Sequence, residues 1–370
     1  MINTRTRAFA SPSKYVQGPG ELKNLQTYTT IYGKNVVMVI DGFLYDVLVV
    51  QFSQTFTDDN NVKYVKFEGE CCLKEIERVK RDAESIKADV VVGIGGGKTL
   101  DTAKSVANKI GVPVIIVPTA ASTDSPTSAM AIIYTEEGVH DDCLIFNTNP
   151  NLVLVDSEII AKAPIRLFVA GIGDAYATYF EALANEASDT ANYVGKGYRR
   201  TKLGMEIAKF CYEMLTEKAL DAKIAIENHC ITETVEDVIE ANILLSGLGF
   251  ENTGCATAHG INSGLSSLPC AKPFFHGERV AFGTICQLVL ENKPSLLIEE
   301  ALNFNLKIGL PVMLMDMNVE PTDENIRIIA EKAVTDIESE PFELTVDLMC
   351  DAIKVASKLG ERARKLFEKK

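Results

Sequence analysis

Apolar residues are arranged in two different ways along this chain. Up to about residue 164 they gather in short unbroken or alternating runs, and beyond it they recur every three or four positions. The runs predict strands. Residues 35–41 (Asn-Val-Val-Met-Val-Ile-Asp) and 89–93 (Asp-Val-Val-Val-Gly) are nearly continuous in apolar side chains, as a strand covered on both faces requires. Residues 62–67 alternate, 112–117 and 152–155 are further apolar runs, and 131–134 and 143–146 flank Glu136-Glu137-Gly138 in the manner of a hairpin. The charged amphipathic stretch 73–88 reads as a helix, and Leu100, Ala103, Ala107 and Ile110 recur on one face of another. Strand alternating with helix implies a parallel sheet. Past Pro164 the stretches 201–220, 232–248, 279–290, 323–337 and 344–367 all carry helical periodicity. The predicted organisation is an α/β domain over residues 1–163 followed by a helical domain over 164–370, with no internal repeat or low-complexity linker.

The run 89–93 leads into Gly95-Gly96-Gly97-Lys98-Thr99 and then directly into a helix. Glycine lets a ligand approach the backbone. Three in a row at the opening of a helix therefore present N–H groups and the positive end of the helix dipole to an anion, of which phosphate is the natural one. Neither common phosphate motif is complete. The P-loop pattern needs glycine where Val92 stands, and the third glycine of the dinucleotide fingerprint would fall on Lys98. A tight strand-to-helix turn without a ligand is the alternative, and phosphate binding is the reading carried forward. Ligands bind parallel sheets at the carboxyl ends of the strands, so Asp41, the glycine turn and the segment after Val117 should meet in one crevice. Asp41 either accepts a hydrogen bond from an adenosine ribose hydroxyl, which favours NAD over NADP, or is a plain turn acid. Pro118-Thr119-Ala120-Ala121-Ser122-Thr123-Asp124 is rich in hydroxyls and small residues, as where backbone meets ligand, or as in an ordinary loop.

Composition narrows the partners. A net charge of −14 and the lack of any Lys/Arg-dense run argue against nucleic acid or an anionic membrane surface and leave small molecules. No apolar run approaches the roughly 18 residues of a membrane span, and residues 1–10 do not resemble a signal peptide, so a cytoplasmic address is expected. The nine cysteines form no C-x-x-C pair and read as packed thiols, Cys230 and Cys255 included.

There are four histidines. His140 and His229 lie in polar surroundings and are expected in solvent. His259, in Ala-Thr-Ala-His-Gly-Ile-Asn-Ser-Gly, and His276, in Phe-Phe-His-Gly-Glu-Arg, each stand among small or apolar residues and precede a glycine. Each is either a satisfied core imidazole or a metal ligand. Asp174, in Val-Ala-Gly-Ile-Gly-Asp-Ala-Tyr-Ala-Thr, is expected at the start of a helix, where the dipole alone would favour it. One carboxylate and two imidazoles would leave open coordination, as a catalytic zinc or iron ion needs.

Together these segments resemble the glycerol dehydrogenases of the iron-containing, group III alcohol dehydrogenase superfamily. The resemblance runs through Gly95 to Thr99, Pro118 to Asp124, the pattern from Leu154 and Asp156 through Pro164, Gly171, Asp174 and Glu181, the stretch Gly247 to Gly264 around His259, and His276-Gly277-Glu278-Arg279-Val280-Ala281-Phe282-Gly283.

The resemblance implies a Rossmann-like NAD-binding domain and an all-α domain holding metal and substrate, with the active site in the cleft between them, an architecture shared with dehydroquinate synthase. By motif match it implies that Asp174, His259 and His276 hold the metal. It further implies that Asp41, Gly95, Gly96, Gly97, Lys98, Thr99, Thr119, Ala120, Ala121, Ser122, Ser128, Met130 and Tyr134 hold NAD and that Asp124 contacts substrate hydroxyls. Iron members carry another histidine ligand one helical turn after the aspartate, where this chain has Thr178, so the implied metal is Zn²⁺. The implied reaction is NAD-dependent oxidation of glycerol and related vicinal diols to the ketone, dihydroxyacetone from glycerol, in a homo-oligomer for which the resemblance suggests an octamer. The alternatives are a dehydroquinate-synthase-like lyase and a phosphopolyol dehydrogenase, both of which need basic residues for phosphate, and Arg279 is the only one beside a proposed ligand. A nucleotide-binding regulatory protein without chemistry is a third.

Overall fold

Strand positions buried on both sides leave no polar face, and the first-half runs obey this: all six residues of Val90–Gly95 and all five of Val114–Pro118 are buried. The computed structural model describes residues 5–56, 60–195, 197–337 and 339–369. It divides into two compact units, Ala10–Pro164 and Ile165–Lys370 together with the start of the chain up to Phe9.

In the first unit the strands are β1 (Tyr15–Gly18), β2 (Asn35–Ile40), β3 (Asn61–Lys66), β4 (Val90–Gly95), β5 (Val114–Pro118), β6 (Met130–Tyr134), β7 (His140–Ile145) and β8 (Leu152–Asp156). Six of them form one parallel sheet in the order β1-β8-β5-β4-β2-β3, and β6 and β7 form a separate antiparallel hairpin. Alternate residues, among them Val36, Met38, Ile40, Val90, Val92 and Ile94, pack one face of the sheet against Leu22, Leu25, Leu48 and Phe52. On the other face Gly93 leaves room for Ala103, so the helix Gly97–Ile110 lies close against β4. From β2 the chain goes outward to β3 and then back to β4 on the opposite side. The order of strands therefore reverses between β2 and β4, the place where open parallel sheets take their ligands.

The second unit is built from helices. Ile165–Ser188 is buried nearly all round, with small residues at Ala170, Gly171, Gly173, Ala175 and Ala177. It therefore admits neighbours closely on several sides. The helix His276–Leu290 crosses it where a Cβ on Gly277 would collide with the backbone carbonyl of Ala170 and one on Gly173 would meet the carbonyl of Gly277. Further along, Gly283 lies against the carbonyl of Ala258 in the helix Thr257–Ser266. Two backbone-to-backbone crossings thus join three helices. At their starts, Glu278 accepts the Phe275 N–H at 2.7 Å, and Arg166 grips the same carboxylate through Nε at 2.6 Å and Nη2 at 2.7 Å. Such a forked, charge-assisted pair fixes orientation as well as distance. The third helix is held at Thr257, whose hydroxyl donates to Glu340 Oε1 at 2.6 Å.

Two outcomes follow from this framework. Gly277→Ala must force the helices apart or distort them, so it should lower stability by about 3 kcal/mol or more, read as a reduced denaturation midpoint in urea. Burial raises the pKa of Glu340 from 4.5 to about 7, against the Thr257 hydrogen bond and with help from Glu291. The folded protein then holds that proton more tightly than the unfolded chain. The stability this group contributes should be full below pH 4.5, fall as pH rises from there to about 7, and be smaller by about 3 kcal/mol above it, at about 1.4 kcal/mol per pKa unit. Glu340→Gln should remove this slope, so that the variant gains on the wild type in thermal melts between pH 5 and pH 8.

Candidate active site

Asp174 lies inside the helix Ile165–Ser188, not at a helix start as its sequence surroundings suggested. The dipole explanation for this acid is therefore gone. It is 1 % exposed, and among the described residues no hydrogen-bond donor meets either carboxylate oxygen in bonding geometry. What faces Oδ1 instead are two imidazoles, His276 Nε2 at 3.1 Å and His259 Nε2 at 3.5 Å, with the two ring nitrogens 3.3 Å apart. His259 is the third residue of the helix Thr257–Ser266 and His276 the first of His276–Leu290, each followed by a glycine at which the helix packs closely.

These three atoms form a triangle with sides of 3.1 to 3.5 Å. A tetrahedral ion with bonds of about 2.0 to 2.2 Å separates its ligands by about 3.3 to 3.6 Å. The triangle is thus of the size a zinc-like ion spans, and the imidazoles, 20 % and 33 % exposed, leave one side open. Burial would raise the pKa of Asp174, but His276 and then His259 outweigh it and hold the carboxyl below its usual range. Burial likewise opposes charge on His259, yet Cys255, Glu181 and Asp174 push its pKa well above the ordinary value. The cluster attracts positive charge, and either protons or a cation can supply it. The second ring nitrogen of His259, Nδ1, is 2.7 Å from Oε2 of the fully buried Glu181. Sequence reasoning assigns Glu181 no role, although its spacing of seven residues from Asp174 puts both on one face of their helix. His140 and His229 are exposed, as expected.

In the first unit, Asp41, Gly95 and Thr119 stand at the ends of neighbouring strands: Asp41 N–H donates to Ile94 O at 2.9 Å and Thr119 N–H to Gly95 O at 3.1 Å. A Cβ on Gly95 would meet Thr99 at 2.8 Å and Asp41 at 2.9 Å, which is why the turn passes so tightly between them. Gly96 has no atom within 4 Å of where a side chain would start, and the helix Gly97–Ile110 has no side-chain cap at its N-terminus. Its first N–H groups are therefore available to an anion. Asp41 also lines a pocket of about 530 Å³ with Gly42, Phe43, Lys66, Phe67, Glu68 and Gly69.

Other predicted residues are engaged within the protein. Lys98 pairs with Glu70 Oε2 at 2.6 Å and lies 4.7 Å over the Tyr134 ring. Ser128 is buried and donates to the Ser125 carbonyl at 3.2 Å. Met130 offers its carbonyl to the buried Lys104, which also bonds the Ser125 carbonyl at 3.0 Å and Asp101 at 2.8 Å, so the hairpin is fastened to the glycine helix. Ala121 and Asp124 are buried, and Thr119, Ala120 and Ser122 partly so.

Residues 12–157 match the family model described as iron-containing alcohol dehydrogenase. A glycerol dehydrogenase of Escherichia coli O6:H1 is 42% identical over 96% of this chain and 98% of its own length. A glycolaldehyde reductase of Halobacterium salinarum is 40% identical over 97% and 99%. The crystal structure of a probable glycerol dehydrogenase from Sinorhizobium meliloti 1021 superposes with a TM-score of 0.92 at 45% identity, covering 96% of this chain and 99% of that one. With likeness of this degree along essentially its whole length, the chain belongs to the iron-containing alcohol dehydrogenase family, among the glycerol dehydrogenases.

Proposed function

We infer that this chain oxidises glycerol, and related vicinal diols, to the corresponding ketone with NAD as hydride acceptor and a zinc ion held by Asp174, His259 and His276. The observation that carries the reading is the Asp174 carboxylate, buried with no donor in bonding geometry among the described residues and faced by two imidazole nitrogens at ligand spacing, in a chain alike throughout to proteins named for glycerol oxidation. Zinc bound there supplies Lewis acidity that lowers the pKa of the substrate alcohol, and NAD supplies the acceptor for its hydride.

The chain's own residues do the rest. The carboxylate of Asp174 offsets part of the cation's charge, and the part-exposed imidazoles keep a side open for substrate. Thr178, one turn beyond Asp174, is buried and bonded to the Ser246 hydroxyl at 3.1 Å, which supports a three-ligand zinc centre over the four-ligand iron arrangement. In the first unit the uncapped N–H groups after Gly96 would take the cofactor diphosphate, and Asp41 would take a ribose hydroxyl while repelling a 2′-phosphate. Asp124 would accept a hydrogen bond from a further hydroxyl of the polyol, favouring diols over simple alcohols.

A phosphorylated substrate, whether for a lyase or a phosphopolyol dehydrogenase, is disfavoured because Arg279, the basic residue three positions after His276, is engaged within the protein. Arg279 already bonds Asn262 Oδ1 at 2.9 Å and the Phe274 carbonyl at 2.6 Å. A regulatory protein without chemistry is disfavoured by the presence of all three ligand residues at ligand spacing.

The direct test is NADH formation from NAD and glycerol by the protein as purified, after chelation and after zinc is restored. Activity should disappear with the chelator and return with zinc. Absence of NADH in every arm would remove the dehydrogenase reading. Asp124→Ala should raise the KM for glycerol at least tenfold while leaving NAD affinity within about twofold, as loss of one hydrogen bond to a charged group implies. Equal losses in both would show that Asp124 has another role.

A further inference from the structure

His259 meets a different partner at each ring nitrogen. Nε2 faces Asp174 and His276, and Nδ1 faces Glu181. Glu181 is 0 % exposed, and its other oxygen, Oε1, already accepts the backbone N–H groups of Ala256 at 2.8 Å and His259 at 3.0 Å. Backbone N–H groups can only donate, so Oε1 is fixed as an acceptor. An ionised Glu181 can likewise only accept at Oε2, so the Nδ1 contact places a ring proton on Nδ1, and in the neutral ring this leaves the Nε2 lone pair facing Asp174 and His276. Glu181, Cys255 and His259 also form a second trio of ligand-type atoms within 4.8 Å of one another. Three N–H groups already occupy the Glu181 carboxylate, so this trio is spent on hydrogen bonding.

We propose that Glu181 is a positioning residue that fixes the tautomer of His259 and thereby sets how tightly the Asp174, His259 and His276 centre holds its metal. The proposal rests on reading that centre as a metal site. Outer carboxylates of this kind orient a ligating imidazole and raise its basicity, and removing one weakens metal binding by about 10- to 100-fold. Here the surroundings give the idea a particular sign. In Glu181→Gln the amide oxygen is retained by the two backbone N–H groups, so the NH₂ group has to face Nδ1. An NH₂ can only donate, which drives the ring proton onto Nε2, the atom needed by the metal. In Glu181→Ala the carboxylate no longer fixes the tautomer, and the Cys255 thiol, which can donate or accept, is left beside the ring.

The test is zinc affinity of the metal-free protein, measured by competition with a chromophoric chelator, for wild type, Glu181→Gln and Glu181→Ala, with far-UV circular dichroism of each metal-free form. The expected order is wild type tightest, Ala weaker and Gln weakest, with Gln about 10- to 100-fold below wild type. A merely structural role predicts the reverse order of the variants, because Gln keeps the shape and the backbone hydrogen bonds that Ala loses. If the Ala variant does not fold, the Gln variant against wild type still decides by its fold-change. Wild type and Gln binding zinc equally, or Gln tighter than Ala, would overturn the inference alone. A wild-type chain that takes no zinc would overturn the metal reading and this inference with it.

Discussion

A carboxylate removed from water and given no hydrogen-bond donor has to be answered by positive charge. The penalty for leaving it otherwise is several kcal/mol, a large share of the net stability of any domain. Among the described residues no donor meets Asp174 in bonding geometry, and the helical unit is arranged around the answer. The Asp174 helix is lined with small residues, so two other helices approach it or one another backbone to backbone at Gly277 and Gly283. Their first turns deliver His276 and His259 to the same carboxylate oxygen. The Arg166–Glu278 fork and the Thr257–Glu340 bond hold those turns in place. What looks like a packing pattern also brings one carboxylate oxygen and two imidazole nitrogens to within 3.5 Å of one another.

The sheet unit leaves backbone open at the end of a strand, where an anion would be received. β4 is buried on both faces and ends in glycines, the strand order reverses beside it, and the following helix begins without a side-chain cap. Gly95 and Gly96 act differently. The first permits close packing against Asp41 and Thr99, and the second leaves open space above the helix N-terminus. Lys104, buried in the same helix, fastens the hairpin segment that carries Ser128 and Met130. Lys98 points instead to Glu70 and Tyr134, so an incoming phosphate would have to compete with a carboxylate for it.

Much of this was legible in the residues. The near-continuous runs at β2, β4, β5 and β8 identified a parallel sheet because burial on both faces leaves a simple signature. The two glycine-flanked histidines stood out by their apolar neighbours. Other features were hidden for physical reasons. The helix Ile165–Ser188 shows little periodicity because it is buried on nearly every side, so Asp174 read as a helix start when it lies mid-helix. Thr257–Ser266 is rich in Gly, Ser, Asn and Thr, poor helix formers whose small size serves packing here. β1 is only four residues long and gives too short a pattern. Glu181 was in view, but its bond to His259 joins residues 78 apart in sequence, which no local spacing reveals.

The claim on which the account turns is that Asp174, His259 and His276 hold one metal ion through Oδ1 and the two Nε2 atoms. Anomalous diffraction at the zinc edge from crystals of the purified protein tests it most directly. The account predicts a single strong peak in contact with those three residues. A zinc-supplied crystal with no peak there, or with its peak on the Glu181 side of His259, would contradict it.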